Sequence, residues 1–235
     1  MRLLLIQYTK YVEQKLQSKH KFDKRAYEVF GAIFAAILLN VIITLTLVLN
    51  QHITLSSLAR ELLRTLFIYF FLCAASLVTL MFDKRTWLKV ASIIIIGVMT
   101  WHLLFNLVFL LIDPKIQENG LKILTDAGLI WFQNVIIFSL WYWFLDRGGP
   151  LNRAQDDNAK PDFSFPQQQA QYPGWEKWKP RFMDYFYLSY TNSISFAPAD
   201  TVPLSRTVKY FMMSQAGISL IIIGMVVSRA MNLLN

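Results

Sequence analysis

Long apolar runs separated by short charged segments set the organisation of this chain. Five stretches, 31–49, 65–82, 90–112, 127–145 and 210–228, contain no Asp, Glu, Lys or Arg. Crossing roughly 30 Å of hydrocarbon takes about 20 residues at 1.5 Å each. Lipid offers no hydrogen bonds to the backbone, so each stretch is predicted to be a helix. None of the five contains proline; all eight prolines fall between them, where a missing N–H does no harm. The predicted fold class is all-α: a polytopic transmembrane helical bundle with five to six membrane helices.

A sixth helix depends on 182–199. This segment is rich in aromatics, but its uncharged part, 185–199, would cover only about 22 Å as a helix. It is either a short span or a re-entrant half-helix. A short span puts both chain ends on the same side and Arg229 on the favoured side, so six helices are expected. The chain then divides into a basic amphipathic cytoplasmic tail (1–29), four transmembrane helices (30–145), a Pro/Gln-rich cytoplasmic linker (146–181), and a C-terminal unit (182–235). That last unit comprises an aromatic short helix, an Asp/Pro turn and the last transmembrane helix. The linker carries Gly148-Gly149-Pro150 and Gln167-Gln168-Gln169. It is predicted to be mostly irregular, with a short helix near Trp175-Glu176-Lys177-Trp178.

Charge fixes the expected orientation. Alternate segments (the tail, 83–89 and 146–181) hold sixteen Lys and Arg, and the intervening loops hold four. The positive-inside rule then places the N-terminus and the linker in the cytoplasm. Trp87, Trp141, Trp143, Trp175 and Trp178 fall near span ends, as interfacial aromatics do. The net charge of +8 is accounted for by anionic lipid headgroups of the inner leaflet; no motif for nucleic acid accompanies it. In the tail, Leu5, Tyr8, Val12 and Leu16 share one helical face beside Lys10, Lys15, Lys19 and Lys21. That pattern fits a helix lying on the leaflet, and equally an ordinary cationic tail. Only Leu3-Leu4-Leu5-Ile6 precedes polar residues, so no cleaved signal peptide is expected. Cys73 is the single cysteine and forms no internal disulfide.

Polar residues inside the spans are the candidates for chemistry. His102 and Asn106 are four apart and share a helix face. With Gln133 and Asn134 they form the candidate polar interior, able to line a pathway or to bond between helices. Asn40, Thr44, Gln215 and Ser219 read the same way. Gly31-x3-Ala35, Gly217 and Gly224-x3-Ser228 are expected to mark close helix contacts. His20 and His52 lie at or beyond membrane edges, so no histidine metal cluster is expected. Nucleotide-binding, zinc-protease and hydrolase motifs are all missing, and Ser193 and Ser195 have no histidine on their own segment. The expectation is therefore no enzyme and no cofactor.

The C-terminal part carries a resemblance. It rests on three runs: Trp141-Tyr142-Trp143-Phe144-Leu145-Asp146-Arg147-Gly148-Gly149-Pro150, then Phe182-Met183-Asp184-Tyr185-Phe186-Tyr187, then Phe196-Ala197-Pro198-Ala199-Asp200-Thr201-Val202-Pro203-Leu204-Ser205-Arg206. Over about 95 residues the chain resembles a family of bacterial inner-membrane proteins of unknown function. The resemblance implies a multi-pass protein of the bacterial inner (plasma) membrane and brings no activity with it. More distantly, the region is similar to the pore helix, filter and inner helix of potassium channels. Asp200-x-x-Pro203 sits where those channels carry the same pair after the filter, and 191–195 resembles the end of a pore helix. The filter departs: Ala197 and Ala199 stand at its glycine positions and Pro198 between them. Alanine does not reach positive φ readily and proline fixes φ, so selectivity through a ladder of carbonyls is not expected.

Two functions of different class follow. One is a passive channel-like or transport-related protein working through the last two helices. The other is a non-transporting membrane scaffold or accessory subunit that docks a partner through its linker, as a homo-oligomer or with another membrane protein. The turn Asp200, Pro203, Arg206 is the candidate functional turn; its structural alternative is that Ser205 or Asp200 caps the last helix.

Overall fold

A computed structural model describes residues 27–43, 45–46, 67, 69–71, 74, 85–112, 120–153, 159–169, 173–176, 178–196 and 200–234. The amphipathic tail, Thr44, Cys73, Lys177 and the filter-like 197–199 lie outside them. The described residues are mostly helical. Helix α1 covers Tyr27–Ile43, α2 Arg85–Ile112 and α3 Gly120–Leu145. Two four-residue helices, α4 (Pro150–Arg153) and α5 (Pro166–Gln169), lie in the linker. Helix α6 is Phe182–Ser195 and α7 is Arg206–Leu234. Two short strands, β1 (Phe163–Ser164) and β2 (Val202–Pro203), pair antiparallel with Phe163 opposite Pro203.

Among the described residues three helices are long and apolar enough to cross a membrane: Thr86–Ile112, Ile123–Gly148 and Arg206–Ser228. Their outward faces are as apolar as their inward ones. On α2, Trp101, Phe105, Val108 and Ile112 are exposed while Met99, Leu103, Leu107 and Leu110 are buried. A helix apolar all round belongs in lipid or deep in a core, and these faces have no protein over them.

Contacts give the helix directions. Trp141 Nε1 donates to Thr100 Oγ1, and Asn106 meets Gln133, so α2 and α3 are antiparallel. Phe211 packs on Phe138 and Trp141 while Ser219 meets Asn134, so α7 also runs against α3. Phe182 packs on Trp143 and Tyr190 on Trp131, so α6 does too. Helices α6 and α7 therefore both start at the end of the bundle where α3 stops. Between them the chain comes back: β2 pairs with β1 of the linker, and the Leu204 N–H donates to the Asp162 carbonyl at 2.8 Å.

This return departs from the expected short span, which would have put the Asp/Pro turn at the opposite end. Helix α6 goes in and the chain comes out at the linker end. Its waist lies partway down. Ser189 reaches the Val135 carbonyl, eleven residues before Asp146, or about 16 Å of helix rise. Helix α6 runs six residues further, so its end lies about 25 Å in, most of a hydrocarbon core of roughly 30 Å.

Among its described residues the linker carries only short regular pieces, as a mostly irregular segment would, yet it is packed. Its aromatics pack inward: Phe163 on Tyr142 and Tyr185, Phe165 on Tyr185 and Trp178. The expected helix near Trp175 is a single turn, with the Trp178 N–H bonded to the Trp175 carbonyl. Trp143, expected at the interface, is 1% exposed, with Phe182 of α6 packed on its ring. On α7 the buried stripe is Val208, Met212, Gln215, Ser219 and Ile222. Gly217 and Gly224 fall on the other side, and a β-carbon on either would meet nothing within 4 Å; the same holds at Gly31. The expected small-residue contacts are therefore not made among the described residues. Larger side chains already fill the α3–α7 seam.

Candidate functional site

The buried polar side chains fall into separate sets. The first joins α1 to α2 through Tyr69, whose hydroxyl lies 3.1 Å from both Asn40 Oδ1 and His102 Nδ1. The second is a single bond between α2 and α3, from Asn106 Nδ2 to Gln133 Oε1 at 3.2 Å. The third lies among α3, α6 and α7. Asn134 Nδ2 donates to Ser219 Oγ at 3.0 Å and to the Gln215 carbonyl at 3.4 Å. The four residues expected to share an interior thus face three different seams. His102 and Asn106 do share one face of α2, but their partners lie on different elements.

Gln215 is the centre of the third set. Its Oε1 accepts from Tyr142 at 2.5 Å and from Asn192 Nδ2 at 2.9 Å. Its Nε2 donates to Ser189 Oγ at 2.7 Å and to the Ser189 carbonyl at 2.9 Å. Ser189 passes the chain on to the Val135 carbonyl at 2.7 Å, and Asn192 also donates to the Met212 carbonyl at 3.1 Å. One side chain thus uses both its amide atoms to tie three helices at a fixed height. Bonds of this kind between membrane helices contribute only about 0.6 kcal/mol each on average, so the gain is mainly in register. Gln133 Nε2 and Asn134 Oδ1 each keep no partner among the described residues.

A second cluster closes the linker end. Helix α3 stops at Leu145 because the next residues turn sharply: Arg147 (φ 52°), Gly148 (72°) and Gly149 (103°) all take positive φ. A β-carbon on Gly149 would press on the Phe144 carbonyl at 3.2 Å. Pro150 then opens α4 at its first position, where proline is at home. The turn leaves Asp146 1% exposed and facing inward. Its Oδ1 accepts from the N–H groups of Asp162 (2.9 Å) and Phe163 (3.4 Å), and its Oδ2 from the Tyr185 hydroxyl (2.5 Å). Arg153 Nη1 lies 3.7 Å from Oδ2, donates to the carbonyls of Trp143 and Asp146, and its guanidinium sits 5.1 Å over the Tyr185 ring. Burial pushes the Tyr185 hydroxyl well above the usual tyrosine range, so it stays a donor. One carboxylate therefore binds the end of α3, the linker strand and the start of α6 into one cap.

The sequence reading missed Asp146 as a hub. The available signal was an acid directly at the end of an apolar run, followed by Arg-Gly-Gly-Pro. Proximity to a span end made it look like an ordinary boundary charge.

The candidate turn is built otherwise. Asp200 and Arg206 are both exposed, and among the described residues no ion pair joins them. Asp200 Oδ1 accepts from Thr201 Oγ1 at 3.3 Å. Ser205 Oγ accepts from the Val208 N–H at 3.4 Å, a cap on the first turn of α7. Pro203 lies in β2 opposite Phe163. Among the described residues no group of three His, Cys, Asp or Glu could hold a metal ion. No protein-family model, curated protein or solved structure matches the chain.

Proposed function

We propose that this chain is a non-transporting membrane scaffold or accessory subunit, closed within its own bundle, with its folded linker as the docking face. The observation that carries the reading is Gln215. The polar side chains that could line a path between α3, α6 and α7 are instead bonded to one another through it. Support also comes from the ordered aromatic linker, which covers the end of that seam.

In this reading the chain crosses the bacterial inner membrane five times, with α6 re-entrant. The return of the chain after α6 adds Arg206 and Lys209 to the linker side and Arg229 to the other. Eighteen Lys and Arg then face five, which supports a cytoplasmic tail and linker and an external C-terminus.

A specific observation favours a second reading, a passive channel-like protein. Helix α6 is a 14-residue helix, about 21 Å long, after which the chain returns to the linker end, and irregular backbone within a membrane is tolerated only against protein or water. Flux through purified protein in vesicles separates the two. The scaffold reading expects potassium, sodium and small-solute flux equal to protein-free vesicles. Protein-dependent flux that Gln215→Leu leaves intact would replace it with the second reading.

A further inference from the structure

Beyond the two clusters, the half-buried Lys89 has no acceptor among the described residues. Lys89 lies in the second turn of α2, half-buried against the turn that ends α3. A β-carbon built on Gly148 would lie 3.7 Å from Lys89 Nζ and 2.6 Å from Asn152 Nδ2. An ammonium from α2 and an amide from α4 therefore converge on one glycine, in the space a side chain would otherwise fill. Gly148 has a φ of +72°, a conformation that already disfavours such a side chain.

Arg147 and Arg153 lie beside the same turn, and among the described residues the carboxylates next to it are Asp146 and Asp162. Asp146 is taken by Tyr185, Arg153 and two backbone N–H groups. Asp162 Oδ2 accepts from the Arg147 N–H at 3.0 Å. Among the described residues Lys89 has neither an ion pair nor a hydrogen-bond acceptor, and the Asn152 amide has none either. A half-buried ammonium without a counter-charge is costly, and an anion seated between these donors would remove the cost.

The position suggests which anion. Trp87, two residues before Lys89, is 61% exposed and stands where interfacial aromatics sit, at headgroup level. We propose that Lys89, Asn152 and the Arg147–Gly148 turn form a binding site for a phosphate group. Lys89 supplies the charge and Asn152 an N–H donor, and the absence of a β-carbon at Gly148 lets both come close to the turn. The group belongs either to an anionic lipid headgroup or to a soluble phosphate compound, and it would staple the start of α2 to the end of α3.

The test uses the full chain in nanodiscs and reads its unfolding temperature. One arm compares phosphatidylcholine alone with phosphatidylcholine plus phosphatidylglycerol. The other adds inorganic phosphate to phosphatidylcholine discs, against chloride at equal ionic strength. Wild type should be raised by at least one ligand. A rise with phosphatidylglycerol only assigns the site to a headgroup, and a rise with phosphate assigns it to a soluble group. Lys89→Gln should weaken the apparent binding about tenfold or more. It should also melt no lower than wild type in phosphatidylcholine and chloride. Asn152→Ala, an exposed position, should weaken binding less, and keeps the test alive if the first variant folds poorly. Lys160→Gln, exposed in the linker, should respond as wild type does. The proposal is overturned if wild type responds to neither ligand, or if Lys89→Gln and Asn152→Ala keep the full response.

Discussion

The Tyr185 hydroxyl donates to Asp146 Oδ2 at 2.5 Å, across 39 residues of chain. This bond joins the start of α6 to the end of α3. The same carboxylate holds the linker strand through the Asp162 and Phe163 N–H groups. Asp146→Ala would leave Arg153 and these donors without their shared acceptor, at a cost of about 3 kcal/mol or more. Tyr185→Phe removes one bond, at about 1–2 kcal/mol. Denaturation in detergent should rank the two in that order, and trypsin should cut the linker faster in Asp146→Ala. Equal stability of both variants with wild type would remove Asp146 as the hub.

Gln215→Leu tests the network among α3, α6 and α7. Tyr142 loses its acceptor there, while Asn192 and Ser189 keep the carbonyls of Met212 and Val135. The expected loss is about 1–2 kcal/mol, modest because two of the three partners keep a second bond. Asn106→Leu touches one bond to Gln133 and should cost less. If the two effects were reversed, Gln215 would not be the centre of the packing.

Gly224→Leu should leave the monomer's unfolding free energy within about 0.5 kcal/mol of wild type, since the side chain would point into open space. A large drop would mean that this face is covered in the membrane, and cross-linking through position 224 would then identify the cover.

The turn before α7 separates capping from charge. Ser205→Ala removes the acceptor for the Val208 N–H and should cost about 1 kcal/mol. Asp200→Asn and Arg206→Gln change exposed residues with no mutual ion pair and should fold as wild type does. Folded yield and melting temperature of the three variants check this. A loss confined to Asp200→Asn and Arg206→Gln would restore the turn as a charged site.

Helices were legible because lipid makes the rule simple: apolar runs of sufficient length must be helical. The runs at 90–112, 127–145 and 210–228 fall inside α2, α3 and α7. The helical ends were less legible, since Arg85 and Lys89 belong to α2 and Asp126 to α3 despite their charge. What sequence could not supply was pairing across distance. The β1–β2 contact joins residues about 40 positions apart, and with the packing of α7 on α3 it turns a short span into a returning hairpin. Likewise, Gln215 looked like an isolated polar residue on its span, because nothing in its spacing shows that one of its atoms serves both Tyr142 and Asn192. The small-residue faces misled for a related reason. Spacing shows which residues share a face, but burial decides which face is used.

The central claim is that linker, start of α6 and start of α7 form one cap at one membrane face. Locating the C-terminus relative to the linker tests it most directly. A reporter active only in the cytoplasm is fused after Lys160 in one protein and after Asn235 in another. The account predicts activity after Lys160 and none after Asn235, because α7 alone separates them once α6 has returned. Activity at both positions would mean that α6 crosses the membrane, and would contradict the returning hairpin.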